Sequence, residues 1–512
     1  MADKLSLQPP VTPARDPGSY FDTDHLKTNL GRRAARGGMV TISSQAVKFF
    51  TGIAATIVLA RLLTPRDYGL IGMVAVVTGF VSMFKDLGLS TATIQKEKIS
   101  AEQISTLFWV NVVVSLGVIV LTIVIAPGVA WFYGEPRLTL ITIAFAAGFL
   151  FGGLTVQHEA LLRRQMRFVA LATIEIASLV AGLAVAILMA WYGAGYWSLV
   201  ANQLVMGFVY AFGVWVVCRW IPGRPVRNAG VRSMLAFGGN LTGFSVVNYF
   251  GANLDNLLVG RIWGAQQLGI YAKAYQLLLL PIDQINTPIA AIAIPSLSRL
   301  TDDEQRYRQA YARILEKLTL LTMPLAAFMI ITSDWLVRLV LGSQWDDTAR
   351  IFSILGFAAF LLPVLNSTGW LFITQNRTHD MLYWGFIDVS MKVVSVVAGL
   401  PWGATGVAIG IVIRMYIQAP LLFWYVSRKG PVKQGDFYRA IAVASCAFLC
   451  TLSTLFAFRY LAKVENPLIG LSLALTVTLA MTLTTLIVLP SGRVALQDLK
   501  ATFYVLITRR AV

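Results

Sequence analysis

Lys48, Asp255, Lys273, Asp283, Asp388, Lys392 and Arg414 each interrupt a long apolar run of this sequence. A charge far inside a membrane helix costs several kcal/mol unless it is paired or hydrated, so each needs a partner or a wet setting. Lys48 lies about ten residues into the first run, and the nearest acid of the second run, Asp86, sits at a different depth. Its chemistry would be to hold an anion; the alternatives are an ammonium that snorkels, or an ion pair with the other half of the chain. Asp255 lies about nine residues before the turn at Gly264 and Lys273 about nine after it, so both fall roughly 13 Å deep, where they could pair. Lys392 and Arg414 lie about ten and twelve residues either side of Pro401-Trp-Gly403, again at matching depth. Asp388 is one helical turn from Lys392 and can partly neutralise it.

Amides gather near these charges. Asn248, Asn253 and Asn256 cluster with Asp255 in one run, Asn253 and Asn256 being three apart and able to share a face, and Asp283 is followed by Gln284 and Asn286. Carboxylates and amides facing one cavity suit sugar hydroxyls or a coupling cation such as H+ or Na+; amides also serve as links between helices. Pro281, Pro288 and Pro295 free backbone carbonyls and allow their helix to bend. The candidate lumen cations are therefore Lys48, Lys273, Lys392 and Arg414, and the candidate sugar or ion contacts are Asn253, Asp255, Asn256 and Asp283.

Catalytic chemistry finds little footing. The three histidines, His25, His158 and His379, have no zinc spacing, and no phosphate loop or nucleophile motif is present. Asp302-Asp303-Glu304 reads as the acidic N-terminal end of a helix rather than a metal site. Cys218, Cys446 and Cys450 lie in or at the end of apolar runs and read as small buried hydrophobes. Neither a metal nor an organic cofactor is expected.

The elements that must position these residues are membrane helices. The chain is 57% hydrophobic and 13% charged, where an average soluble domain carries about 25% charged residues. The net charge of +17 lies mostly in short loops on one side of the apolar runs, which is the positive-inside pattern and not a nucleic-acid surface. That asymmetry places both termini in the cytoplasm. The fold class is all-α integral membrane, with about fourteen spans of about 20 residues each.

The spans carry a duplication. Arg61, Leu62, Gly69 and Leu70 return as Arg261, Ile262, Gly269 and Ile270, and the Trp191–Trp197 turn is echoed at Pro401–Val407. Two echoes in matching order suggest two homologous halves, a common transporter plan. The domains read as a disordered cytoplasmic tail (1–37), an N-lobe of helices 1–6 (38–219), a C-lobe of helices 7–12 (234–427), an extra helix pair (437–489) and a cytoplasmic C-terminal tail (490–512).

Five strings sharpen this: ARLLTPRDYGL (60–70), FKDLGLSTATIQ (84–95), EALLRRQMRF (159–168), LDNLLVGRIWGAQQLGIYAKAYQ (254–276) and IPSLSRL (294–300). In them the chain resembles the polysaccharide transporter family, the Wzx-type exporters of the MOP flippase superfamily. The resemblance implies two six-helix lobes with two added helices. It also implies export of undecaprenyl-diphosphate-linked oligosaccharide, of exopolysaccharide or O-antigen type, across a bacterial inner membrane by alternating access. Lys48, Lys273, Lys392 and Arg414 would then hold the pyrophosphate, and the extra helix pair could offer a groove for the polyprenyl tail. Partners would be the lipid-linked oligosaccharide, membrane lipids and polysaccharide polymerase or export machinery, with no nucleic acid. The competing readings are a drug/cation antiporter of the same superfamily and a membrane-bound glycan polymerase or ligase. Basic groups within the spans count against the first. Outside loops too short to house an active site count against the second.

Overall fold

The computed structural model describes residues 30–84, 90, 93–94, 99–226, 232–462, 464–488 and 492–493; for 30–39, 42, 232–248 and 250 only the backbone is described. The expected tail before residue 30, Lys85, Asp86, the Asn248 side chain and nearly all of the C-terminal tail lie outside what is described. The described residues are mostly helical, with no strand among them. The helices are α1 (Leu30–Leu62), α2 (Pro65–Ser82), α3 (Ala101–Tyr133), α4 (Arg137–Arg164), α5 (Phe168–Trp191), α6 (Trp197–Cys218), α7 (Arg232–Ser298), α8 (Glu304–Ile331), α9 (Ser333–Val340), α10 (Asp346–Thr374), α11 (Thr378–Gly399), α12 (Gly403–Ser427), α13 (Gln434–Ala462) and α14 (Pro467–Val488). The first helix starts at Leu30, ahead of the expected start at residue 38.

Among the described residues, eleven stretches are long and apolar enough to cross a membrane, where the sequence reading expects about fourteen. Two of them, Gly251–Ser298 and Thr378–Ser427, run through a glycine turn. In α7 the turn is Gly264, whose φ of 77° is open to glycine at no steric cost. Between α11 and α12 the chain turns through Leu400–Trp402 and Gly403.

Sequence signals set the ends of several helices. Asp67 accepts from the Thr64 nitrogen at 2.9 Å while the Thr64 hydroxyl accepts from the Asp67 nitrogen at 3.3 Å, a reciprocal cap that starts α2 with Pro65 in its first turn. Ser100 and Gln103 form the same box at the start of α3. Asp303 caps α8 by accepting from the Arg306 nitrogen, so the acidic trio is a helix start as expected.

The chain forms two compact units: Met1–Ala55 with Val77–Tyr249, and Thr56–Val76 with Phe250–Val512. The two are interleaved in sequence, whereas the lobes read from sequence are contiguous blocks. The first unit packs α3, α4, α5 and α6 around a core of Phe108, Leu161, Leu171, Ile174, Val214 and Trp220. His158 is wholly buried here. It stacks on Trp215 at 4.3 Å between ring centroids and its Nε2 lies 3.1 Å from the Trp220 carbonyl oxygen.

In the second unit α8 and α10 are central, each 67% buried over its apolar window, while α13 and α14 are peripheral at 28% and 22%. The last turn of α1 belongs here. The Trp345 indole donates to the Ala60 carbonyl at 2.8 Å and the Gln344 amide to the Leu63 carbonyl at 3.0 Å, so helix-end carbonyls find partners. At the start of α2, a methyl built on Gly69 would stand 1.6 Å from the Ala265 carbonyl oxygen, and one on Gly269 would stand 1.9 Å from that of Pro65. Two helices cross there backbone to backbone, which explains why segment 56–76 groups with 250–512.

Two arginine–aspartate pairs dock α13. Arg308 of α8 grips Asp436 with Nε and Nη2 at 2.6 and 2.8 Å. Arg459 donates from Nη1 to Asp334 of α9 at 2.6 Å and lies 4.9 Å from the Trp335 ring centre. Cysteines depart from expectation: Cys218 is buried, but Cys446 and Cys450 are exposed. They lie on the outward face of α13, where the bilayer would be the apolar medium that their sequence surroundings anticipate.

Candidate functional site

In the first unit the key contact joins α1 and α5. Lys48 Nζ donates to Glu175 Oε2 at 2.6 Å, and the two side chains keep 25% and 28% exposure. The sequence reading finds no acid at the depth of Lys48 in the second run and holds open an ion pair with the other half of the chain. The acid comes instead from α5. Glu175 is the only charged residue between Phe168 and Trp191, and a lone acid in an apolar run was the signal that could have found it. The pair offsets much of the cost of each charge, yet a quarter exposure leaves both open to water or a ligand.

The EALLRRQMRF string divides its cations. Arg163 pairs with Glu159 at 2.8 Å. Arg164 is buried and donates to the Thr93 carbonyl at 3.2 Å, and Arg167 donates to the Val217 carbonyl at 3.2 Å. Val217 lies in the last turn of α6, so Arg167 serves a helix end with free carbonyls.

The second unit holds a linked polar cluster. Asp255, 3% exposed, accepts from Lys392 Nζ at 3.1 Å and from the Tyr271 hydroxyl at 2.7 Å. Lys392 also donates to the Ala252 carbonyl at 2.9 Å. Asp388 accepts from Arg414 Nη1 and from the Gln418 amide, each at 2.6 Å. Both expected pairings are therefore corrected. Asp255 takes Lys392, not Lys273, and Asp388 takes Arg414, not Lys392. Helical rise gives depth, but rotation about the helix axis decides which side chain meets which. Lys273 lies instead 4.1 Å from the Tyr68 ring centre and donates to Gln276 at 3.0 Å.

The remaining candidates are dispersed. Asn253 is half-buried, and Asn256 holds a buried Oδ1 with no hydrogen-bond partner among the described residues. Asp283 is exposed on the arm of α7 after Gly264 and forms no ion pair among the described residues. Among these candidates, those of the second unit form two neutral ion pairs beside the buried Lys273 and the exposed Asp283, and that of the first is a partly exposed cation with its counter-ion.

A family model described as "Polysaccharide biosynthesis protein" matches residues 58–350. The chain belongs to that family. The chain is 30% identical over 312 residues to the teichuronic acid biosynthesis protein TuaB of Bacillus subtilis, covering 60% of this chain and 64% of TuaB, just under two thirds of that relative's length. It is 24% identical over 412 residues to the lipopolysaccharide biosynthesis protein WzxC of Escherichia coli, covering 79% of this chain and 82% of WzxC. Among solved structures it is similar to the lipid II flippase MurJ in an inward closed conformation, with a TM-score of 0.70, 12% identity and coverage of 87% and 97%. A multidrug MATE transporter of the MOP superfamily, facing inward, gives a TM-score of 0.57 at 15% identity, with coverage of 78% and 95%. At such identities the likeness is one of fold. The polysaccharide-family resemblance read from the five strings is borne out, and this family member is a multi-pass membrane protein whose fold is similar to those of MurJ and the MATE transporter.

Proposed function

We propose that this polysaccharide biosynthesis protein moves undecaprenyl-diphosphate-linked oligosaccharide, of exopolysaccharide or O-antigen type, from the cytoplasmic to the periplasmic leaflet of a bacterial inner membrane. Both termini face the cytoplasm in this reading, the cycle is one of alternating access, and the glycan passes on to polymerase or export machinery. The family supports the substrate class, as do relatives named for teichuronic acid and lipopolysaccharide synthesis. A diphosphate bearing a glycan cannot cross hydrocarbon unaided, because buried charge and unpaired hydroxyls are both costly.

The observation that carries the site is the Lys48–Glu175 pair. Lys392 and Arg414, 12% and 9% exposed, are engaged by carboxylates, and Lys273 is buried. Lys48 is the more accessible cation, so in this proposal it meets the diphosphate. Glu175 is its resident counter-ion, which the incoming phosphate displaces. Coupling to H+ or Na+ is assigned to Asp283, since Asp255 is already held by Lys392 and Tyr271.

The test is reconstitution in vesicles with a fluorescent lipid-diphosphate sugar, comparing wild type with Lys48→Ala. Transport by wild type and its loss in the variant is the expected result. Transport unchanged in the variant removes Lys48 from the site. No transport by wild type, with a cationic dye carried instead, favours the antiporter reading.

A further inference from the structure

The second unit carries a groove of about 1050 Å³ along the seam of α11 and α12. The helices meet closely at this seam: a methyl on Gly410 would lie 2.5 Å from the Ser395 carbonyl oxygen. Small residues on α11, among them Ser395 and Ala398, leave the groove open. Its apolar wall is Ile409, Ile413 and Ile417, spaced four apart on one face of α12 and 43%, 54% and 54% exposed. From Gly403 to Ile417 the helix rises about 21 Å, more than the roughly 15 Å of one leaflet.

Charge marks both depths of the groove. At the end near the Gly403 turn stands Arg350, exposed and without an ion-pair or hydrogen-bond partner among the described residues. Trp402, 74% exposed, and Trp263 line the same end. Arginine and tryptophan together at a helix end are the signature of the membrane–water boundary. Deeper, Arg414 lines the groove at 9% exposure; Asp388 balances its charge, and its buried Nε has no hydrogen-bond partner among the described residues.

We propose that this groove binds one anionic glycerophospholipid, with its phosphate on Arg350 and one acyl chain laid along Ile409, Ile413 and Ile417. Apolar walls under Arg350, which has no ion-pair partner among the described residues, suit a monoanionic headgroup. A diphosphate would call for more free positive charge at the mouth than Arg350 alone supplies. The site is independent of the cargo proposed above: it needs only that the protein is embedded in lipid.

The test is native mass spectrometry of the full-length protein in neutral detergent, titrated with dioleoyl phosphatidylglycerol, dioleoyl phosphatidylcholine or undecaprenyl phosphate. Phosphatidylglycerol is expected to be retained in preference to phosphatidylcholine. Arg350→Gln should weaken that retention about fivefold, the effect of one interfacial cation. Ala398→Phe, which fills the groove, should weaken retention of both phospholipids at this site, with circular dichroism unchanged. Equal retention of the two phospholipids, or Arg350→Gln behaving as wild type, overturns the proposal. Undecaprenyl phosphate displacing phosphatidylglycerol in an Arg350-dependent way also overturns it, because the groove would then belong to the carrier lipid.

Discussion

Gly269 packs directly on the backbone of Gly69: a methyl built on Gly269 would stand 3.1 Å from the Gly69 nitrogen. The contact is reciprocal. Gly69 faces the Ala265 carbonyl and Gly269 faces the Pro65 carbonyl, and these positions exchange under the repeat that relates residue 69 to residue 269. A duplicated motif thus meets its own copy, and neither copy tolerates a side chain.

Gly69→Ala or Gly269→Ala should therefore push two backbones apart. Overpacking costs about 1–3 kcal/mol even where side chains can yield, and here the obstacle is main chain. A thermal unfolding scan in detergent should show both variants destabilised, while Gly117→Ala, with open space around it, stays near wild type.

Asp255 and Lys392 should behave as a unit. Removing one partner of a buried pair costs about 3–5 kcal/mol, because the other charge is left uncompensated. Asp255→Asn and Lys392→Met should each lower thermal stability sharply, and the double variant should be more stable than either. A double-mutant cycle measures this; additive losses would mean that the pair is not coupled.

Glu175→Gln separates binding from stability. Lys48 would lose its counter-ion, so the fold should weaken by less than the fully buried case, given the partial exposure of the pair. If phosphate competes with Glu175 for Lys48, the variant should bind a lipid diphosphate several-fold more tightly. Thermal unfolding and a fluorescence binding titration read the two effects independently.

The clamps on α13 give a fourth expectation. Arg308→Ala and Arg459→Ala each remove a two-pronged, charge-assisted contact between helices. Hydrogen bonds to charged groups contribute about 1.5–3 kcal/mol, and partial exposure puts these arginines at the low end. Limited proteolysis should cut the link after Ser427 faster in the double variant than in wild type.

Much of this architecture was legible in the sequence. Apolar run length showed the membrane helices, and the Gly69/Gly269 echo marked two positions that the fold brings together. The depths of Asp255, Lys392 and Arg414 were also readable, since rise per residue is fixed. Their partners were not. Lys392 and Lys273 lie at similar depth relative to Asp255, and only helix rotation and packing selected Lys392. Glu175 was not legible as the partner of Lys48, because it lies on α5, more than a hundred residues away in the chain, and only packing brings the two helices together.

The Asp255–Lys392 and Asp388–Arg414 pairs have an electrical consequence. Moving one elementary charge through the membrane potential takes about 2.3 kcal/mol per 100 mV. Each pair sums to zero, so voltage does no net work on either of them when the unit that holds them shifts in the bilayer. In the proposed transport cycle, any sensitivity to membrane potential must then arise from the traveller, or from groups such as Asp283, which forms no ion pair among the described residues.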